Sequence, residues 1–357
     1  MRIRGFLILF PLFLPVLGGC TDLGYYLQAA SGHFDLLRQK QDIAELLENP
    51  GTDAELKRKL QLLEEVREFA SAKMALPESP GYTGYVDLGR PYVTMVVRAA
   101  PEFSLESYRW CYWFIGCQEY RGYFNEHEAR AYAANMEPGL DISVRPVSAY
   151  STLGWLNGPW IPDFFSDPAL NTFMNRKDPE IVGALIHEMA HQVVFVEGDT
   201  PFNESFAVFV EQEGVLNFYR KRGDIHTEDY LWYLSAQKDR ERFRQMILET
   251  FQKLENLYQE KLSEDEMRKR KTKQFLTLKR KFAEEKSQFE VLNYEGWFKQ
   301  DLNNTHILGV RRYHRDTGTF RRLFESEGRK WPSFYRKVQA LADETPEKRS
   351  AFLQRKR

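Results

Sequence analysis

Apolar residues recur at three- and four-residue spacing through FDLLRQKQDIAELLE (34–48) and AELKRKLQLLEEVREFASAKM (54–74). That periodicity predicts two helices, parted by the turn signal Asn49-Pro50-Gly51. From 80 to 150 the pattern shortens. YVTMVVRAA (92–100), RWCYWFIGCQEYRGYF (109–124) and ISVRPVSAY (142–150) are rich in β-branched and aromatic residues, broken by Gly and Pro, and read as strands and turns. Between them NEHEARAYAANMEPG (125–139) reads as a helix closed by Pro138-Gly139. From 178 to about 290 the chain is mostly helical. Ile181, Val182, Leu185, Ile186, Val193 and Val194 make its start apolar nearly all round, as in a buried helix. The stretch 238–290 is very polar and predicts one or two long solvated helices; 297–357 returns to mixed helical segments with a boundary at Trp331-Pro332. The order implies an α+β fold, a small mixed sheet with helices before and after it and long helices toward the C-terminus.

Composition adds that the chain folds. Of 357 residues, 43% are hydrophobic and 14% aromatic, as in a protein with a proper core. Lys and Arg number 50 against 51 Asp and Glu, so net charge gives no reason to expect nucleic acid. The basic run RKRKTK (268–273) has acidic neighbours and a helical pattern, which favours a solvated face.

The first nineteen residues read as a leader. Arg2 and Arg4 precede an apolar run of about a dozen residues, too short to span a bilayer comfortably. Leu17-Gly18-Gly19-Cys20 resembles the bacterial lipobox, in which the cysteine is lipidated and becomes the mature N-terminus. Residues 1–19 are therefore expected to be a lipoprotein signal peptide and Cys20 the lipidation site. Thr21 stands where Asp would favour inner-membrane retention, so the expected location is the outer membrane, facing the periplasm. In that compartment Cys111 and Cys117 can pair if the chain turns near Gly116; the alternative is two small buried hydrophobes.

The chemistry concentrates at ALIHEMAHQVVFVEGDTPFNESFAVFVEQ (184–212). His187 and His191 lie four apart, on one helix face, where both imidazoles reach one ion. Glu188 is one position round from His187, where a carboxylate can serve as general base without ligating. A catalytic zinc needs a third protein ligand. Glu204, on a second helix after the turn at 197–201, can return to the ion if the helices pack antiparallel. Asp199 is nearer in sequence but sits in that turn, where Asp is common for backbone reasons. Glu211, two turns beyond Glu204 on the same face, is a candidate for supporting the site or for binding a substrate amine.

His187-Glu188-Met189-Ala190-His191 followed by Asn203-Glu204-Ser205-Phe206-Ala207 resembles the gluzincin metallopeptidases, which include thermolysin and the alanyl aminopeptidases. The aminopeptidase version carries a further Glu where Glu211 stands. The gap from His191 to Glu204 is shorter here than in the alanyl aminopeptidases, which demands a tighter turn. A closer resemblance covers roughly residues 20 to 350. YRGYF (120–124), VRPVSAYSTLGW (144–155), HEMAHQ (187–192), GDTPFNESFAVFVE (198–211) and DLNN (301–304), in that order, resemble a bacterial family of lipoprotein aminopeptidases.

The resemblance implies a zincin-like peptidase in one region, 20–357: a helical N-terminal part (20–79), a strand-rich part (80–177) and a helical part with the metal site (178–357). It also implies Zn²⁺ held by His187, His191 and Glu204, with Glu188 as base and a peptide as substrate. An oxyanion donor is wanted as well, often a Tyr or His. Tyr150 and Tyr313 are candidates, each with a packing aromatic as the alternative. The reading from another class is a non-catalytic envelope scaffold with a structural or vestigial metal site. Three ligands and an adjacent base are an open-site pattern, which favours catalysis.

Overall fold

The computed structural model describes residues 20–78, 81–112, 116–148, 166–313 and 317–354, with the side chains of 20–23 and 311–313 left out. The leader 1–19, Tyr150 and the side chains of Cys20 and Tyr313 thus lie outside the described residues.

The described N-terminal part is helical: α1 (Cys20–Arg38), α2 (Ile43–Glu48) and α3 (Ala54–Met74), with a short strand β1 (Gln41–Asp42) between α1 and α2. The single helix expected over 34–48 is therefore broken at its middle. Long-range partners claim that point. Lys40 Nζ donates to Ser166 Oγ (2.9 Å) and Ser166 O (3.2 Å), and Gln41–Asp42 pair antiparallel with Gly84–Tyr85. Asp42 then restarts the helix as its N-cap, accepting from Ala44 N at 2.8 Å. Residues 20–33, which periodicity leaves unassigned, are helical as well.

The strand-rich part holds β2 (Gly84–Val86), β3 (Thr94–Pro101), β4 (Trp110–Tyr112), β5 (Gly116–Gln118), β6 (Arg121–Tyr123), α4 (Glu126–Ala134), β7 (Leu140–Val147) and β8 (Ala169–Leu170). Among the described residues the strands form small sheets of two or three, in keeping with the α+β expectation: a mixed β1-β2-β8, an antiparallel β6-β3-β7, and the hairpin β4-β5. In the second, β3 and β7 pair over eight positions, from Thr94 opposite Val147 to Pro101 opposite Leu140. In the hairpin Cys111 stands opposite Cys117 and the two form a disulfide, which resolves the open question in favour of pairing. Gly116, at φ +68°, takes the left-handed backbone at the start of β5.

The rest is helical: α5 (Asn171–Met174), α6 (Asp178–His191), α7 (Thr200–Arg222), α8 (Glu228–Tyr258), α9 (Glu264–Glu285), α10 (Glu295–Phe298), α11 (Asn304–Tyr313), α12 (Gly318–Ser326), α13 (Trp331–Ala342) and α14 (Pro346–Leu353). The main core joins α3, α6, α7 and α12 to α14, with Val66, Ile186, Phe202, Phe206, Phe209, Phe320 and Phe334 wholly or nearly buried. Helices α8 and α9 are not solvated all round. Phe243, Ile247 and Leu254 of one meet Phe275, Leu278 and Phe282 of the other in a second core, capped by Phe298, which stacks on Phe282 at 3.9 Å. The polar composition of 238–290 hid a single apolar stripe on each helix.

The basic run on α9 is largely a solvated face, as its acidic neighbours suggested, with Lys271 alone of the six buried. Arg268 pairs with Glu102 (2.7 Å) and Arg270 with Glu266 (2.9 Å); Lys271 is buried against Asp141 (2.6 Å). The DLNN segment fastens this helical pair to the sheet. Asn304, fully buried, donates from Nδ2 to the carbonyls of Pro101, Glu102 and Ser104 at 3.0–3.1 Å and accepts from Tyr258 at 2.8 Å. Asn303 donates to Ile142 O at 3.0 Å.

Candidate metal centre

Helix α6 begins with Pro179 in its first turn, where a missing N–H costs nothing. Arg58 of α3 holds Asp178 (2.8 Å) and Arg240 of α8 holds Glu180 (3.0 Å), so the helix start is fixed from two sides. Its last turn presents His187 and His191. Their Nε2 atoms lie 3.2 Å apart and aim at a common point.

Helix α7 brings the third donor. Glu204 Oε2 lies 3.5 Å from His187 Nε2 and Glu204 Oε1 lies 3.7 Å from His191 Nε2; one ligand atom from each of the three residues lies within 4.8 Å of the others. Two imidazoles and one carboxylate are a donor set that a divalent ion such as zinc accepts, with a coordination position left over. The electrostatics fit the same reading. Burial lowers His191 to about 4, helped by the charge of His187. Burial would lower His187 too, but hydrogen bonds to Glu204 and then Glu211 outweigh it and hold that imidazole well above its ordinary value.

Glu211, on α7, faces His187. Its Oε2 lies 3.0 Å from His187 Nδ1, so with Nε2 turned to the centre, Nδ1–H donates to the carboxylate. Sequence spacing had put Glu211 on the right face without saying what it touches. Tyr233 of α8, wholly buried, feels the same carboxylate; burial first, then Glu211, pushes its phenol up, so it stays protonated. His191 Nδ1 is buried and has no hydrogen-bond partner among the described residues.

The close approach of α6 and α7 depends on a glycine in each. A Cβ on Gly183 would meet Glu211 Cγ and Oε1 at 3.2 Å, and one on Gly214 would meet Met74 Cε at 2.8 Å and Ile186 Cδ1 at 2.9 Å.

The short connection between the helices is clamped by Asn203, the residue before Glu204. Its Nδ2 donates to Val196 O (2.8 Å) and its Oδ1 accepts from Val196 N (2.9 Å). The buried amide thus replaces the ladder of backbone bonds that a longer loop would need. Asp199 is occupied elsewhere, as the N-cap of α7, accepting from Phe202 N (3.1 Å) and from buried Arg349 of α14 (2.7 Å). Farther along α7, Glu213 is buried and paired with Arg321 (3.0 Å) and Arg329, which ties the helix to the C-terminal elements. The roles of Asn203, Gly183 and Gly214 carry no sign in the sequence beyond their residue types.

Glu188, on the turn that carries His187, is half-buried. Of the oxyanion candidates, Tyr150 lies outside the described residues and Tyr313 ends α11 with its side chain likewise outside. No curated protein and no solved structure matches the chain. The family described as "Putative aminopeptidase" matches residues 24–353, nearly the whole length, and the chain belongs to that family.

Proposed function

We propose that the chain is a zinc-dependent peptidase of the gluzincin type, which removes N-terminal residues from peptides while held by a lipid on Cys20 at the outer membrane, facing the periplasm. The observation that carries the catalytic reading is the convergence of His187, His191 and Glu204 on one point, with Glu188 beside it on the same helix. A bound zinc ion would supply a Lewis acid that acidifies water and polarises a peptide carbonyl. His187, His191 and Glu204 would hold it. The Glu188 carboxylate accepts the proton of the attacking water and delivers it to the leaving nitrogen. Glu211 keeps His187 in the tautomer that turns Nε2 to the centre, and Asn203 fixes the connection that aims Glu204. Family membership supports the preference for free N-termini. The Cys111–Cys117 disulfide supports an oxidising compartment.

The test compares the soluble form lacking residues 1–20 with its Glu188→Gln variant, offering free-amine and N-acetylated peptides in parallel. The expected result is about one zinc per chain in both proteins, cleavage of free-amine peptides only, and a loss of kcat of about 10²-fold or more in the variant. Zinc bound without cleavage of any peptide in a broad library would leave a scaffold lipoprotein; no bound metal would end the proposal.

A further inference from the structure

Helix α9 turns one side to the second core and the other to solvent. Met267, Lys271, Phe275, Leu278 and Phe282 form its buried side. Lys269, Lys273, Leu276 and Arg280, at helical spacing, share the opposite side; all four are exposed, Leu276 to 58%. The stripe they make is about 16 Å long. Its cations differ from those beside them. Arg268, Arg270 and Lys281 are engaged with Glu102 (2.7 Å), Glu266 (2.9 Å) and Glu249 (2.6 Å), whereas Lys269, Lys273 and Arg280 have no salt bridge among the described residues. The acids that flank the start of the stripe, Asp265 and Glu266, are paired with Arg268 and Arg270. Exposed Glu284 lies one turn past its far end.

Strand register relates this helix to the start of α1. Gln28 of α1 donates to Gly122 O (3.1 Å) and accepts from Phe124 N (3.2 Å), and Tyr25, nearly one turn earlier, lies under the Arg121 guanidinium (3.9 Å). On β3 the residues opposite Tyr123, Gly122 and Arg121 are Met95, Val96 and Val97. Toward its first residue, α1 therefore advances toward the Pro101 end of β3. That is the end where Glu102 receives Arg268 and Asp141, opposite Ala100, receives Lys271 (2.6 Å). The start of α1 and the first half of α9 thus belong to one end of the sheet.

We propose that the outer stripe of α9 rests on the anionic phospholipid headgroups of a bilayer, with Lys269, Lys273 and Arg280 making the contact and Leu276 seated among them. The proposal rests on the lipid tether at Cys20 proposed above. Each Lys or Arg close to an anionic surface favours contact by about fivefold, so three favour it by about a hundredfold. That is too little to recruit a free protein and enough to orient one already tethered.

The experiment uses the full chain, purified with its lipid and reconstituted into phosphatidylcholine vesicles with and without phosphatidylglycerol. Mass spectrometry first establishes the lipid on Cys20. With Cys20 acylated and Cys111–Cys117 bonded, a nitroxide can be placed on one new thiol at a time: Leu276→Cys in the stripe, and Leu231→Cys on α8, a position of similar exposure. With phosphatidylglycerol present, the label at 276 is expected to collide with a neutral, water-soluble nickel chelate several-fold less often than the label at 231. Without phosphatidylglycerol, or with Lys269→Gln, Lys273→Gln and Arg280→Gln together, the two labels should collide alike. A lipidated protein whose labels behave alike on the anionic vesicles overturns the docking and leaves a solvated face on a standing tether. Protection that persists without phosphatidylglycerol overturns it as well, because the contact would then not be electrostatic. A chain with no lipid on Cys20 removes the tether and the proposal with it.

Discussion

Replacing Glu211 with glutamine keeps the shape of the side chain and deletes the charge that faces His187 Nδ1 at 3.0 Å. Hydrogen bonds to a charged group are worth about 1.5–3 kcal/mol and neutral ones about 0.5–1.5 kcal/mol. Glu211→Gln therefore costs the ligand histidine about 1.5 kcal/mol, close to a tenfold loss of zinc affinity. Glu211→Ala removes the acceptor altogether, and the loss should approach a hundredfold, the range found for partners that orient metal-bound histidines. Competition with a zinc chelator at fixed pH reads the affinity directly, and circular dichroism shows whether the fold is retained. Kinetics on saturating zinc provide the second readout. If Glu211 acts through His187, KM for free-amine peptides changes little in Glu211→Gln once the site is filled. Unchanged zinc affinity, together with a KM that rises for free-amine peptides and not for N-acetylated ones, would refute the reasoning and give Glu211 to the substrate ammonium.

Three other residues yield predictions of the same kind. Asn203→Ala opens the clamp on Val196 and leaves a backbone pair unsatisfied, a local cost of about 1–3 kcal/mol; amide exchange at Val196 should quicken and zinc affinity fall, while the rest of α7 keeps its protection. Gly214→Ala pushes a methyl into Met74 and Ile186 and should destabilise the chain by about 1–3 kcal/mol in urea unfolding, outweighing the helix propensity gained. His306 is buried, and burial first, then Arg145, Lys279 and Arg98, lowers it to about 3. Its folded value lies below the unfolded one near 6.5, so its contribution is complete above about pH 6.5 and is lost as pH falls toward 3. Between pH 6.5 and 4.5 the wild type should lose roughly 2 kcal/mol more than His306→Gln, read from denaturant midpoints at each pH.

The residues of the site were legible where helical spacing alone sets the geometry. His187 and His191 are four apart, and Glu204 and Glu211 seven apart, so each pair shares a face whatever surrounds it. What the spacing could not convey is the partner across the gap. Glu211 read equally well as a support or as a substrate carboxylate, and the contact of its oxygen with His187 Nδ1 across the α6–α7 gap is something spacing does not show. The break at Lys40 was invisible because its cause, Ser166, is far away in sequence, and local periodicity does not register such a tie. Helix α1 was missed over 20–33 because its inward residues, Tyr25 and Gln28, make specific contacts in place of an apolar stripe, while Leu27 and Phe34 face out.

The short span from His191 to Glu204 demands a tight turn, and that turn is a constraint that works in favour of the site. A long loop would leave Glu204 free to sample many orientations, each costing entropy when the three donors gather on an ion. Here that entropy is removed beforehand. Asn203 closes on Val196 from inside, Asp199 caps α7, and Arg349 reaches from α14 to hold Asp199. The donors are consequently positioned by three contacts that do not themselves touch the centre. Substitutions at Asn203 and Arg349 should then weaken metal binding without altering the slope of its pH dependence, because neither changes how many protons the ligands release. A changed slope at either position would mean that the clamp acts on the ligands' protonation and not on their placement.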